Sequence, residues 1–106
     1  MKETNWDFLY AILKNLKFIN YKKDDLIYSI GDHALLIYFI KKGEVILKNE
    51  AEKLFKYSAG EMFGDSDVLL NLLRDTTAVA NDNTTLIILH KDDLNKLLLI
   101  HPEISY

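Results

Sequence analysis

A glycine turn, a short run of helix-forming residues and a single arginine lie close together between Gly60 and Ala80, and these residue types can hold an anion. Glycine lets backbone N–H groups approach a ligand closely, and the run Ser66 to Leu72 predicts a short helix whose N-terminus favours negative charge. Arg74 follows, and its planar guanidinium can donate two hydrogen bonds to phosphate oxygens. The stretch therefore predicts a phosphate-binding site.

The spacing within this stretch resembles the phosphate-binding cassette of the cyclic nucleotide-binding domain family. The family pattern is Phe-Gly-Glu, two variable residues, an apolar pair, a variable segment, Arg, a small residue and then Ala-Thr-Val-x-Ala. The positions that fall on this pattern without a gap are Phe63, Gly64, Leu69, Arg74, Thr77 and Ala80. Agreement at so many spaced positions is more specific than a Gly-rich match alone.

The resemblance implies a role for each part of the cassette. Backbone N–H groups from Gly64 to Asp67 and the guanidinium of Arg74 would hold the phosphate of cyclic AMP or cyclic GMP, and Asp65 would accept from the ribose 2′-hydroxyl. The expected ligand-binding residues are Phe63, Gly64, Asp65, Ser66, Asp67, Arg74, Asp75 and Thr76. The expected apolar wall consists of Ile40, Val45, Leu54, Met62 and Phe63. The resemblance implies no catalytic residue, no metal and no cofactor besides the nucleotide.

Three acidic residues depart from the family pattern inside the cassette. Asp65 replaces a glutamate and is one methylene shorter, Asp67 stands where alanine is usual, and Asp75 replaces the small or hydroxyl residue after the arginine. At ~4–6 Å, the carboxylates of Asp67 and Asp75 would repel a phosphate and compete for Arg74. Two functions therefore stay open: a regulatory module that binds a cyclic purine nucleotide, or a degenerate, ligand-free β-roll that acts as a structural or interaction module. The preference between adenine and guanine also stays open.

Composition limits the class of protein. The chain has 106 residues, of which 49% are apolar and 27% charged, which predicts a single globular domain over residues 1–106. It has no cysteine, so disulfides and thiolate chemistry are excluded, and its net charge of −3 argues against nucleic acid as a partner. The sequence has neither a signal-peptide pattern nor an apolar run near the ~18 residues of a membrane span. We expect a cytoplasmic location, which includes the cytoplasmic part of a membrane protein.

Other chemistries find less support in the sequence. The three histidines, His33, His90 and His101, are far apart in the chain and lack the spacing of metal ligands. Ser58 and Ser66 have glycine neighbours, but neither forms the Gly-x-Ser-x-Gly turn of a hydrolase nucleophile. We therefore predict that the protein is not an enzyme.

Periodicity predicts helices at both ends of a β-rich middle. An apolar stripe predicts a helix over residues 4–16, and Asp92 or Asp93 would cap another over 92–104. From 18 to 91 the period is two, which predicts a β-roll with the cassette at 60–80. Its candidate strands are Phe18–Lys22, Leu26–Ile30, Leu35–Lys41, Val45–Lys48, Lys53–Tyr57, Thr76–Ala80 and Thr85–His90. The expected fold is α+β, mainly β: an antiparallel β-roll or jelly-roll barrel with a helix at each end and a short cassette helix.

The resemblance extends beyond the cassette, over about residues 8 to 102. Gly31-Asp32 followed by Ile37 to Val45 is similar to a strand and turn of the family, and Phe8 to Phe18 resembles the helix that joins the pore linker to the binding domain in cyclic-nucleotide-gated and hyperpolarisation-activated channels. The family's longer C-terminal lid helix is absent from this sequence. The implied parent is an ion channel subunit, such as a potassium channel, ahead of a kinase regulatory subunit or exchange factor. Partners would be the cyclic nucleotide, an effector such as the pore or linker of the same parent, and other copies in a homo-oligomer.

Overall fold

The computed structural model describes residues 16–100, and for residues 97–100 it describes the backbone only. The opening helix predicted over 4–16 lies outside the described residues except for Leu16, and so does the segment 101–104 of the closing helix. In the part of the chain that is described, no helix is long and apolar enough to cross a membrane.

Two four-stranded antiparallel sheets form the body of the molecule. The strands are β1 Lys17–Tyr21, β2 Leu26–Tyr28, β3 Leu36–Lys42, β4 Glu44–Asn49, β5 Leu54–Ser58, β6 Met62–Phe63, β7 Thr76–Ala80 and β8 Thr84–His90. One sheet has the order β1-β8-β3-β6 and the other the order β2-β7-β4-β5. The predicted α+β, mainly β fold with a β-roll is confirmed.

The strands follow the alternation of the sequence. In β7 every second residue is buried, and β8 continues the same pattern over most of its length. All seven strands predicted from the sequence are present, with ends that differ by at most two residues. The eighth, β6, has only two residues and pairs with Tyr38 and Phe39 of β3. Two residues are too few to produce a periodic signal, so the sequence did not predict it.

A glycine is required at the turn between β3 and β4. Gly43 has a φ of +99°, and a Cβ built on it would lie 2.5 Å from both the backbone oxygen of Asn83 and Oγ1 of Thr84. Its neighbour Glu44 donates its backbone N–H to that Thr84 hydroxyl at 3.2 Å. The turn is therefore packed directly against the start of β8, where no side chain at position 43 would fit.

Two helices attach to the sheets through a second apolar cluster. α1 comprises Asp65–Leu69 and α2 comprises Lys91–Ile100. The main cluster, between the two sheets, consists of Tyr28, Tyr38, Ile40, Val45, Leu47, Phe63, Ala78, Leu86 and Ile88. The second cluster joins Val68 of α1 and Leu94 of α2 to Ala34, Ile37 and Leu89. The cassette helix is thus held against the outside of the first sheet by one buried valine.

The cassette helix is shorter than the sequence predicted. The expected helix ran from Ser66 to Leu72, whereas α1 begins at Asp65 and ends at Leu69. Asn71 adopts a φ of +58°, the backbone N–H of Leu72 donates to the oxygen of Asp67 at 2.8 Å, and that of Asn71 donates to Val68 at 3.3 Å. This pair of bonds around a left-handed residue is a Schellman ending, a geometry that asparagine tolerates. The prediction missed it because leucines continue beyond the end of the helix.

Candidate functional site

A cavity of about 250 Å³ opens between the cassette and the second sheet. Its lining residues come from β2, β4, β5, the cassette and the start of β7, and they are Tyr28, Leu47, Phe55, Tyr57, Phe63, Gly64, Asp65, Ser66, Asp67, Asp75 and Thr76. Aromatic rings and aliphatic groups form one wall, and three carboxylates with two hydroxyls form the other. This combination of an apolar wall with convergent polar groups is typical of small-molecule sites.

The aromatic wall is well ordered by packing inside the roll. Phe63 stacks on Tyr38 with ring centroids 4.9 Å apart and planes 8° from parallel, and Tyr57 packs at a tilt against Phe63 at 6.1 Å. Burial is the main reason that the pKa of Tyr38 rises to about 12, so its hydroxyl stays neutral at ordinary pH. These contacts fix Phe63 between the core and the cavity.

Arg74 is buried and bonded to the backbone behind the cassette. Only 3% of the residue is exposed, and its Nη1 donates to the backbone oxygen of Gly64 at 2.6 Å while Nη2 donates to that of Leu36 at 2.6 Å. Its guanidinium carbon lies 4.2 Å from the ring centroid of Tyr28, which is a cation–π contact. Arg74 therefore ties the cassette to β3, and it lies behind the wall of the cavity.

Gly64 allows this close approach. A Cβ at Gly64 would lie 2.8 Å from Nη1 of Arg74 and 3.2 Å from Cδ2 of Tyr38, and the residue has a φ of +76°. Since Arg74 is held at two carbonyl oxygens, it cannot move aside without losing a hydrogen bond. Glycine is thus required here by both backbone geometry and space.

Asp67 supplies the carboxylate partner of Arg74. Its Oδ2 lies 3.4 Å from Nη1 of Arg74, and only 13% of the Asp67 side chain is exposed. Burial, with repulsion from Asp75 second, raises the pKa of Asp67 from its ordinary value, although Arg74 acts in the opposite direction. A distance of 3.4 Å is long for a charge-assisted hydrogen bond, so the attraction does not compensate for the desolvation.

The structure brings together most of the residues that the sequence predicted for the site. All eight except Arg74 line the cavity, namely Phe63, Gly64, Asp65, Ser66, Asp67, Asp75 and Thr76. Asp75 and Ser66 are exposed, while Thr76 is buried and its hydroxyl lies 3.5 Å from that of Tyr28. Arg74 contacts this group of residues from behind, through Gly64 and Asp67.

Of the five residues expected in the apolar wall, Phe63 lines this cavity and the other four do not. Ile40 and Val45 are buried in the main core, Met62 packs on the second cluster, and Leu54 is 61% exposed. Residues that the sequence analysis missed are Tyr28, Leu47, Phe55 and Tyr57. The alternation of β5 contained a signal for two of them, since Phe55 and Tyr57 share one face and Leu54 lies on the other.

A second cavity, of about 280 Å³, shares the lining residue Tyr28 with the first. Arg74 lines it together with His33 and His90, which are distant in sequence. His90 accepts the backbone N–H of Asp92 at its Nδ1, at 3.0 Å. Among residues 16–100 there is nevertheless no group of three or more side chains that could hold a metal ion.

Comparison with known proteins identifies the class. The family model described as "Cyclic nucleotide-binding domain" matches residues 18–101, so the chain belongs to the cyclic nucleotide-binding domain family. The chain is 32% identical over 101 residues to the cyclic nucleotide-gated channel beta-1 of Homo sapiens, and the alignment covers 90% of this chain and 8% of the channel. The identity to the same channel of Bos taurus is also 32%, and 7% of that channel is covered. The chain thus spans less than a tenth of the length of these relatives.

A solved structure shares the fold. The catabolite activator protein of Thermus thermophilus superposes with a TM-score of 0.77 and 24% sequence identity, over 91% of this chain and 47% of that one. This likeness supports the β-roll architecture.

Proposed function

We propose that this domain binds a cyclic purine nucleotide, cyclic AMP or cyclic GMP, in the cavity between the cassette and the second sheet. The observation that supports the proposal most is the convergence of seven cassette residues and an aromatic wall on one cavity, in a chain of the cyclic nucleotide-binding domain family. The base and ribose would lie on the aromatic side, against Phe55 and Tyr57. The cyclic phosphate would lie at the cassette.

The cassette offers donors and an acceptor for such a ligand. Backbone N–H groups between Gly64 and Asp67 belong to the first turn of α1, where intrahelical partners are lacking. Asp65 would accept from the ribose 2′-hydroxyl. Arg74 would supply the positive charge from behind Gly64, and its Nη1 would exchange the Asp67 carboxylate for a phosphate oxygen.

The domain would act as a cytoplasmic regulatory module without catalysis. The cassette turns a row of leucines towards solvent, with exposures of 38% to 66%: Leu69, Leu70, Leu72 and Leu73. An exposed apolar surface beside a ligand site can pack against an effector element. Ligand binding would favour one arrangement of the cassette and its neighbours, and so shift an effector, such as a channel pore or linker of the same parent, between its states.

A second candidate function is a ligand-free interaction module. The observation that favours it is the satisfied state of Arg74, whose two terminal nitrogens are bonded to Gly64, Leu36 and Asp67. In that case the arginine would hold the cassette in place permanently. The exposed leucines would then be the functional surface.

Thermal unfolding in increasing cyclic AMP or cyclic GMP separates the two functions. Ligand at ~100 times Kd should stabilise the fold by ~2.7 kcal/mol, which is several degrees for a domain of this size. Asp65→Ala should lower the shift for cyclic AMP relative to that for 2′-deoxy cyclic AMP, because the lost contact is to the 2′-hydroxyl, whereas the loss of the Asp65 charge acts on both nucleotides alike.

Variants check where the ligand lies. Arg74→Ala should abolish the shift, provided that circular dichroism shows the variant to be folded, and Asp82→Ala in the exposed turn before β8 should behave as the parent chain does. The absence of a shift with either nucleotide at millimolar concentration, in every variant, would contradict nucleotide binding and favour the interaction module.

A further inference from the structure

The positive charge of the candidate phosphate site already has an anionic partner within the chain. Asp67 projects from α1, and its Oδ2 lies 3.4 Å from Nη1 of Arg74. Asp67 also belongs to the lining of the cavity, whereas Arg74 does not. An anion in the cavity would therefore have to share Arg74 with the Asp67 carboxylate.

The charges around this point oppose a second anion. Asp65 and Asp75 line the same cavity, so three carboxylate side chains border it and one of them is paired with the guanidinium of Arg74. At distances of ~4–6 Å in a partly buried site, each carboxylate repels a phosphate by an amount that matters for affinity. Asp67 differs from the other two because it also competes directly for Nη1 of Arg74.

We propose that the Asp67 carboxylate is an internal competitor of the ligand phosphate, which must be displaced or protonated before Arg74 can serve the ligand. This inference rests on the proposed nucleotide-binding function and adds its regulation. It predicts that the affinity for cyclic nucleotide rises as the pH falls. Asp67 would thereby raise the ligand concentration needed to half-saturate the domain, compared with a domain that lacks this carboxylate.

The neighbouring groups support protonation of Asp67. The charged and titratable groups that act on it are Arg74 on the strand side, Asp75 at the start of β7, Asp65 on its own helix, and the hydroxyl of Tyr28 on β2. Burial and Asp75 raise the pKa of Asp67, and burial raises that of Tyr28, which therefore stays neutral. The cyclic phosphodiester keeps its single charge over the pH range of the test, so that the pH dependence reports on the protein.

The test is calorimetric titration of cyclic AMP and cyclic GMP into the parent chain, Asp67→Asn and Glu50→Gln, at about pH 7.5 and about pH 5.5. Asparagine keeps the shape of the side chain and removes the charge. Glu50→Gln removes the same charge from the exposed turn between β4 and β5. At the higher pH we expect Asp67→Asn to bind roughly tenfold more tightly than the parent chain and Glu50→Gln to match the parent. The parent should gain affinity at the lower pH, and Asp67→Asn should not.

The three proteins together separate the competitor role of Asp67 from nucleotide binding itself. Binding by Asp67→Asn when the parent does not bind supports the competitor role in its strongest form. Equal affinities and equal pH dependence of the parent chain and Asp67→Asn would overturn the competitor role while leaving nucleotide binding intact. No binding by any of the three proteins at either pH would overturn the proposed function, and the competitor role with it.

Discussion

Two carboxylates of this domain each lie beside one cation, yet they belong to opposite environments. Asp67 lies 3.4 Å from Arg74 in the cassette, with side-chain exposures of 13% and 2%, and Glu44 lies 3.2 Å from Lys56 across β4 and β5, with exposures of 27% and 62%. Glu44 also accepts from Nδ2 of Asn81 at 2.6 Å. Judged by the ion-pair distance alone, the two sites would be equivalent.

Their pKa values move in opposite directions. The hydrogen bond from Asn81, followed by the one from Lys56, lowers the pKa of Glu44, whereas burial and then Asp75 raise that of Asp67. A partner within 4 Å therefore does not decide whether a carboxylate is stabilised. At the cassette, burial and the carboxylate of Asp75 raise the pKa of Asp67. At the sheet edge, the hydrogen bond from the Asn81 amide lowers the pKa of Glu44.

The largest difference between the two sites should appear when the cation is removed. Arg74→Ala leaves the backbone oxygens of Gly64 and Leu36 without donors and the Asp67 carboxylate without its partner. We expect a loss of about 3 kcal/mol in the free energy of unfolding, measured by urea denaturation. Lys56→Ala, the matched change at the sheet edge, should cost about 1 kcal/mol or less because that lysine is exposed.

Equal losses in the two alanine variants would break this comparison. They would mean that Arg74 contributes no more than a surface cation. Arg74→Lys adds a second check, since a lysine cannot bond both carbonyl oxygens in the geometry of the guanidinium. It should fall between the parent chain and Arg74→Ala.

A smaller effect on the free energy of unfolding is expected when the charge of Asp67 is removed. Its folded-state pKa lies above its unfolded value of about 3.8, so its contribution to stability is fully present below that value and is lost as the pH rises through the folded pKa. Asp67→Asn should therefore gain stability relative to the parent chain between about pH 4 and about pH 7.5, by less than the loss in Arg74→Ala. Urea denaturation at both pH values measures it. A relative loss over that interval would show that attraction to Arg74 outweighs burial.

The sequence predicted the fold, and it predicted which cassette residues meet at the cavity better than it predicted the hydrogen-bond partners of Arg74. Strand alternation and the Phe63-Gly64 to Arg74 spacing identified the roll and the cassette. The sequence could not show that Arg74 bonds the backbone oxygen of Leu36, because a carbonyl 38 residues away has no side-chain signature. It did identify Asp67 and Asp75 as unusual, although the distance from Asp67 to the arginine depends on how α1 packs.

The wall of the cavity shows a different kind of limit. The family resemblance implied that Leu54 is a wall residue, but in β5 it faces away from the residues that line the cavity. Leu47 is paired with Phe55 and Val45 with Tyr57, so the pairing register decides which side chains can face the cavity. In a strand, an error of one residue exchanges the faces.

The smallest expected effect on stability is that of Glu44→Gln, which is the change at the sheet edge that corresponds to Asp67→Asn in the cassette. The folded pKa of Glu44 lies below its ordinary value of 4.5, so its contribution is present above that value and is lost as the pH falls through the folded pKa. Glu44→Gln keeps an oxygen for Asn81 but removes the charge, so the variant should fall behind the parent chain as the pH rises, opposite to Asp67→Asn. Added salt should reduce the part due to exposed Lys56 and leave the Asn81 hydrogen bond. If Glu44→Gln instead gained on the parent chain with rising pH, the two carboxylates would titrate alike, and burial would not be what distinguishes the cassette from the sheet edge.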